Sequence, residues 1–350
     1  MLAWHTVIAL SCLIGALEPP EKPAAPSVDH RVLAFYYPWY GTPDGPGGAS
    51  RGKRFVHWEK VDAPSRTIGS STNYPKNGAY DSHDPAVIAR HCEIARSAGL
   101  DGFIVSWWGK KSFEDGAVRS VLDACERAHL VASVYYEQVA APGTPESVAG
   151  EIKDLLGRFG NHPAFLKVSR DGQERPVLFV YGRAVGQLGV EKWKSVLRIV
   201  ARELPVPPLV IADDFSDAAM MIFDGAHSYG PAGDVAAALK RGETIDAWAR
   251  RVMPWWAGRS REAGKISCVT VFPGYDDTKV RTPGLKVPRN DGALYDTLWR
   301  EAIAARPDWV LVTSFNEWHE GSEIEPSEEL GDRYVRSTGE WASRFKAGAR

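Results

Sequence analysis

Short runs of β-branched and aromatic residues alternate with longer stretches of helical periodicity from residue 32 to about residue 346. Strands are expected at 32–37, 102–107, 131–137, 176–181, 209–213, 223–229, 266–272 and 309–315. Helices are expected at 85–98, 112–129, 145–159, 190–203, 244–263 and 292–305, with a last one over 332–345; the connection 215–222 carries the weakest helical pattern. Several strand segments are apolar throughout rather than alternating, the mark of parallel strands covered on both faces. Eight strand–helix units are the count of a closed barrel, so the expected fold class is α/β, a (β/α)8 TIM barrel in a single domain. An open, doubly wound sheet would place a glycine-rich phosphate turn after the first strand. Pro38-Trp39-Tyr40-Gly41 stands there instead.

At 350 residues the chain buries a core without help from disulfides. A net charge of −2 announces neither a nucleic-acid-binding face nor a disordered acidic tail. Residues 1–16 form an apolar run too short for a comfortable membrane span, ending in the small residues Gly15 and Ala16. They read as a signal peptide, followed by a Pro/Ala-rich linker over 17–30 and a hydrolase-sized domain over 31–350. The expected location is secreted or periplasmic, although no Lys or Arg stands near Met1 and a short anchor has the same pattern. Past the leader, Cys92, Cys125 and Cys268 are too few and too scattered for a zinc site or a disulfide framework, and read as buried free thiols.

The 13 Trp and 12 Tyr change the picture, because aromatics crowd the C-terminal ends of the expected strands, where barrel active sites gather. Aromatic rings with polar edges suit sugar rings. The same ends carry carboxylates, above all Glu317 and Glu320 in SFNEWHEGSEIEP. Along a straight strand these two would point to opposite sides; a turn after Phe315, helped by Gly321, brings both into one cleft. Two close carboxyls in a water-poor pocket resist joint ionisation, which leaves one protonated for acid catalysis of glycosidic bond cleavage. The plainer alternative makes both ordinary charges of a surface loop. The long polar loop from Gly41 to Asp84 is of a length that usually serves function, and is placed to wall one side of the cleft.

FYYPWYGTP, HW, IGSSTNYPKNGAYDSHDPAVIARHCEIARSAGLDGFIVSWWG, YYE, FDGAHSYG, PGYDDTKVR and SFNEWHEGSEIEP, in that order, resemble glycoside hydrolase family 99, the endo-α-mannosidases and endo-α-mannanases. The resemblance runs from about Val32 to Tyr334 and implies a (β/α)8 barrel. It also implies retaining cleavage inside an α-mannose-containing glycan, with no metal or organic cofactor. The implied mechanism is substrate-assisted: Glu317 takes the proton of the 2-hydroxyl so that O2 forms a 1,2-anhydro sugar, while Glu320 protonates the leaving oxygen and later activates water. Matching positions for sugar binding are Tyr40, Trp107, Glu137, His227, Tyr229 and Arg281, with Trp318 and His319 flanking the catalytic pair. Two positions depart from the family pattern: Thr42 where Asn is usual, and Glu323 where Gln is usual. An added carboxylate at 323 is expected to lie near the pair and alter acid strength or sugar preference.

Three rivals remain open at this stage. One is a silent glycan-binding barrel, and a second is a related barrel hydrolase acting on another polysaccharide. The third is a metal-dependent hydrolase using His227 and His319, although such enzymes usually carry an HxH pair where Tyr36-Tyr37-Pro38 stands.

Overall fold

The computed structural model describes residues 28–348. The leader over 1–16 and the linker up to residue 27 lie outside the described residues. The barrel strands are β1 (Arg31–Tyr36), β2 (Gly102–Trp107), β3 (Val131–Tyr136), β4 (Gln173–Val180), β5 (Leu209–Ala212), β6 (Gly225–Ala226), β7 (Ile266–Val271) and β8 (Trp309–Val312). Each pairs in parallel with its sequence neighbour, and β8 pairs back onto β1 with Arg31 opposite Trp309, so the sheet closes. Helices between the strands cover the outside, as in the expected (β/α)8 arrangement.

The boundaries differ from expectation where side chains or loops compete with the ladder. β4 starts before residue 176 because it extends into an antiparallel hairpin with Lys167–Arg170. The turn is Asp171-Gly172, both with positive φ (54° and 74°), the two-residue geometry that Asp-Gly favours. β6 is reduced to two residues, since the Asp224 carboxylate before it accepts from Val210 N (3.0 Å) and from Arg170 (3.1 Å). β8 stops at Val312 rather than 315, because Ser314 N turns away to donate to Ser322 O. The weak segment 215–222 forms a short helix, Asp217–Ile222, capped by the Ser216 hydroxyl. Two further short helices, Gly182–Leu188 and Ala232–Lys240, were not expected. The thiols of Cys92, Cys125 and Cys268 are free and buried.

Side-chain parity along the strands sorts the core into two clusters. Leu33, Phe35 and Tyr37, with Tyr135, Phe179, Ile211, Cys268 and Leu311, fill the barrel interior. Val32, Ala34 and Tyr36, with Val105, Trp107, Tyr136, Val180 and Val312, pack outward against the helices. Both faces of every strand are therefore apolar, which is why the segments read as continuous hydrophobic runs.

Phe35 stands at the centre of the interior, with ring centroids 4.8 Å from Tyr135, 4.9 Å from Tyr229 and 5.8 Å from His227. Phe35→Ala is expected to lower the unfolding free energy by about 3–5 kcal/mol, because the closed barrel cannot collapse onto the void. Chemical denaturation of the purified variant checks this, and a loss below about 1 kcal/mol would mean that the interior is not tightly packed.

Candidate active site

The catalytic-loop segment leaves β8 and folds back on itself. Ile324 N donates to Ser314 O and Glu325 N to Phe315 O, so residues 314–325 form a loop closed at its base. Gly321, with φ +56°, makes the reversal; a Cβ there would lie 2.9 Å from Thr72 Oγ1 and 3.1 Å from Asp276 O. Asn316 ties this loop to the end of β1: its Oδ1 accepts from Tyr37 N (2.7 Å), and its Nδ2 donates to Tyr37 O (3.1 Å) and Tyr80 OH (3.1 Å). Tyr40 OH donates to Asn316 O (3.2 Å) and accepts from Trp318 N (3.0 Å). Trp318 Nε1 and Tyr80 OH converge on Glu325 Oε2 at 3.1 and 2.8 Å. With its backbone pinned on this side, the loop has one way to present residues 317 and 320.

Both carboxyls line one cleft at the C-terminal mouth of the barrel. Its other walls include Tyr37, Trp39, Trp108, Glu137, Tyr181 and Tyr229, with Arg183 and Arg281 also lining it; it holds about 510 Å³ of empty space counted to its mouth. Glu317 is 2 % exposed, and its Oε1 accepts from His319 N at 3.0 Å. Glu320 accepts from Tyr229 OH (3.1 Å) and from both terminal nitrogens of Arg281 (3.2 Å each). Arg281 is steadied by Asp277 (2.5 Å) and Tyr275 OH (2.7 Å). Burial pushes the Glu317 carboxyl well above the usual range, and the neighbouring charge of Glu320 pushes it further. One cleft thus holds a reluctant acid, a second carboxyl gripped by cationic and phenolic donors, and aromatic walls, as glycosidic bond cleavage requires.

The comparisons agree with this geometry. The description of glycosyl hydrolase family 99 matches residues 27–330. The chain belongs to glycosyl hydrolase family 99. It is accordingly a glycoside hydrolase. The mouse glycoprotein endo-alpha-1,2-mannosidase is 27 % identical over 335 residues, covering 86 % of this chain and 68 % of the mouse protein. A zebrafish glycoprotein endo-alpha-1,2-mannosidase-like protein is 27 % identical, covering 91 % of this chain and 79 % of its own length. The GH99 endo-alpha-mannosidase structure from Bacteroides thetaiotaomicron superposes with a TM-score of 0.72 at 25 % identity, covering 91 % of this chain and 98 % of that one.

The residues that the family pattern marks for sugar binding fall into three groups. Glu137, Tyr229 and Arg281 line the cleft with the catalytic pair. Tyr40, Trp318 and His319 lie behind or beside it: Tyr40 and Trp318 are wholly buried in the network that pins the loop, and His319 Nε2 donates to His57 O at 2.7 Å. His227 lies within the barrel, 0 % exposed, 3.2 Å from Tyr135 OH; burial lowers its pKa to about 3, so it is neutral. Trp107 is in the outer shell, donating from Nε1 to Asp115 at 2.8 Å, because its parity on β2 faces the helices. Its neighbour Trp108 faces the cleft instead, under the guanidinium of Arg183 at 4.5 Å. Tyr37, Trp39, Trp108, Tyr135, Tyr181 and Arg183 are cleft residues that the sequence reading did not single out. Strand parity was the available signal: Phe35 to Tyr37, Tyr135 to Glu137 and Phe179 to Tyr181 each step by two along the inward face.

The departures from the family pattern also find their places. Glu323 does not join the pair: it is 1 % exposed and is held by Arg289 (2.8 Å) and Asn73 (2.7 Å) on the far side of the loop. The expectation that it tunes the catalytic acid is therefore corrected, since a buried guanidinium neutralises it locally. Thr42 enters through its backbone, whose N–H donates to Asp81. The Asp81 carboxylate also collects Gly47 N, Gly48 N and His83 N, and so folds the long loop back on itself. Trp58 of that loop stacks on Tyr40 at 3.9 Å, so the loop braces the catalytic segment. The cluster of three possible metal-ligating groups found among the described residues, Asp123, Glu126 and His162, is outside the cleft, with the two acids on the helix Asp115–Arg127.

Glu137 accepts from Ser106 Oγ (2.8 Å) and lies 3.3 Å from Arg183, yet burial raises its pKa to about 7. The folded protein holds this proton more tightly than the unfolded chain, whose carboxyl has the ordinary value of 4.5. Its contribution to stability is therefore full below pH about 4.5 and is lost as pH rises through about 7. Glu137→Gln, which cannot ionise, is expected to lose less stability than the native protein between pH 5 and pH 8. Denaturation midpoints at the two pH values test this, and parallel losses in both proteins would refute a buried, proton-holding Glu137.

Proposed function

We propose that this hydrolase is a retaining endo-α-mannosidase that cuts an internal α-mannosidic linkage of a larger glycan through a 1,2-anhydro sugar. The observation that carries the reading is the meeting of Glu317 and Glu320 in one aromatic cleft, with the first buried and the second gripped by Arg281 and Tyr229. The endo-α-mannosidase names of the mouse, zebrafish and Bacteroides relatives support the substrate class.

A desolvated Glu317 binds protons tightly, which is what a base needs in order to draw one from a sugar hydroxyl. Substrate sets where the proton goes. The 2-hydroxyl is a donor and favours ionised Glu317, whereas the glycosidic oxygen is only an acceptor and favours protonated Glu320. Glu317 then takes the O2 proton as O2 bonds to C1, and the C1–oxygen bond breaks as Glu320 protonates the leaving oxygen. In the second half, Glu320 takes a proton from water, the hydroxide oxygen bonds to C1, and O2 regains its proton from Glu317. Two inversions at C1 amount to retention, without the covalent glycosyl-enzyme of the common retaining scheme. Neutral His227 beneath the cleft keeps Tyr135 in place and carries no charge to the reaction.

The leader pattern of residues 1–16 supports export ahead of a domain over 31–350, to a secreted or periplasmic location where such glycans are met. Sequencing the N-terminus of the protein recovered from its native host checks this; an intact Met1 in the cytoplasm would overturn it.

Incubation with α-mannan and with a glucosylated high-mannose glycan is expected to release oligosaccharide whose newly formed end is the α-anomer, read by NMR before mutarotation. Glu320→Gln should lose about 10²–10⁴-fold on natural glycan but keep most of its rate on substrates with activated leaving groups. Glu317→Gln should lose a similar factor on both while still binding sugar. Full activity in both variants would refute the assignment, and a β-anomeric first product would refute retention.

A further inference from the structure

A second pocket opens on the other side of the catalytic loop. Its walls are Thr72 and Asn73 of the long first loop, Tyr275 and Lys286 of a small antiparallel ribbon, Arg289, and Gly321. It holds about 670 Å³ of empty space counted to its mouth, as large as the catalytic cleft. Gly321 directly follows Glu320, and Asp276 N donates to Glu320 O at 2.7 Å. Tyr275, which lines the pocket, accepts from the same Arg281 that grips Glu320. The partition between pocket and cleft is thus a single strand of chain, and it is the strand that carries Glu320. Glu137 and Arg183 belong to the lining of the cleft alone.

We propose that this pocket is a leaving-group subsite, taking a further neutral hexose of the glycan beyond the bond that is cut. The proposal rests on the reading of Glu320 as the group that protonates the leaving oxygen, since that places the departing glycan on the pocket's side. The chemistry of the walls fits a sugar. Val287 and Leu330 offer apolar surface to a C–H face, and the Tyr275 ring adds to it. Asn73, Thr72, Asp276 and Lys286 offer donors and acceptors to hydroxyls. Lys286 and Asp276 pair at 2.8 Å, so their charges cancel and the pocket has no bias towards an anion. The walls are also fixed in advance. Arg289 donates to the carbonyls of Gly321 and Glu323 at 2.9 Å each and to the Glu323 carboxylate at 2.8 Å, while Asn73 holds the same carboxylate at 2.7 Å. Little is left to be ordered when a sugar enters. The buried Glu323, which departs from the family pattern, therefore serves this pocket's frame rather than the catalytic acid.

The test uses the full chain and α-mannooligosaccharides that share one non-reducing portion but carry one, two, three or four sugars beyond the scissile bond. Native kcat/KM is expected to rise by about tenfold or more as the leaving portion grows, one decade corresponding to about 1.4 kcal/mol of added transition-state binding. Lys286→Ala should reduce the long-to-short ratio, and Leu330→Trp, which fills the pocket, should bring it close to one. A native enzyme that cuts all lengths equally, or a length gain that survives in both variants, would overturn the subsite and leave the catalytic reading intact. A native enzyme that cuts no α-mannoside at all would overturn the catalytic reading and the subsite with it.

Discussion

The Asn316 side chain is the point at which the barrel and its chemistry are joined. Its amide pairs with both the N–H and the carbonyl of Tyr37, so the end of the last strand is bonded to the end of the first by something other than the ladder. The ladder itself has stopped four residues earlier, at Val312. A free amide so deeply buried would be costly, and here its nitrogen and oxygen are both occupied. Once residue 316 is fixed, Glu317 has to enter the cleft and Trp318 has to turn back into the protein. The Tyr40, Tyr80 and Glu325 contacts then repeat the constraint on the following turn.

The cleft that this loop completes is crowded with carboxyls. Glu137, Glu317 and Glu320 share it with two arginines, and two of the three acids are pushed upward chiefly by burial. The site accordingly sets cationic donors unequally. Arg281 makes two contacts with Glu320, Arg183 makes a single long side-chain contact with Glu137, and Glu317 is left with a backbone N–H. That inequality separates the proton affinities of neighbouring acids on one fold, which is the condition for one group to give a proton while another takes one. It also explains why Glu323, although close in sequence, has no part in this balance: its own arginine removes it.

The eight-strand count, the helices between the strands and the identity of the catalytic pair were all legible before coordinates, and the reason differs for each. Strands and helices announce themselves through local periodicity, and Asp84, Thr144 and Thr244 mark helix starts with capping side chains. The Lys167–Gln173 hairpin was missed although Asp171-Gly172 signals it, because β4 was read from its apolar end alone. Trp107 was taken for a cleft residue over Trp108 on motif position, whereas counting by twos along β2 would have turned it outward. Tyr37, Tyr181 and Arg183 fall in the same class: their segments stood out, but not which side chain in each faced the mouth.

What the sequence determined by itself is what a short stretch of chain can encode: the period of each element, the face it buries, the turn residues, and the family to which the strand-end motifs belong. Only the closed tertiary structure decided that Tyr37, Glu137, Arg183, Arg281 and Glu317 share one cavity, or that Glu317 is the buried acid and Glu320 the one held by donors. The physical reason is range. Periodicity arises from neighbours within a few residues, whereas burial and charge at the mouth are sums over loops that ring closure gathers from distant parts of the chain, and no local pattern carries the result of that sum.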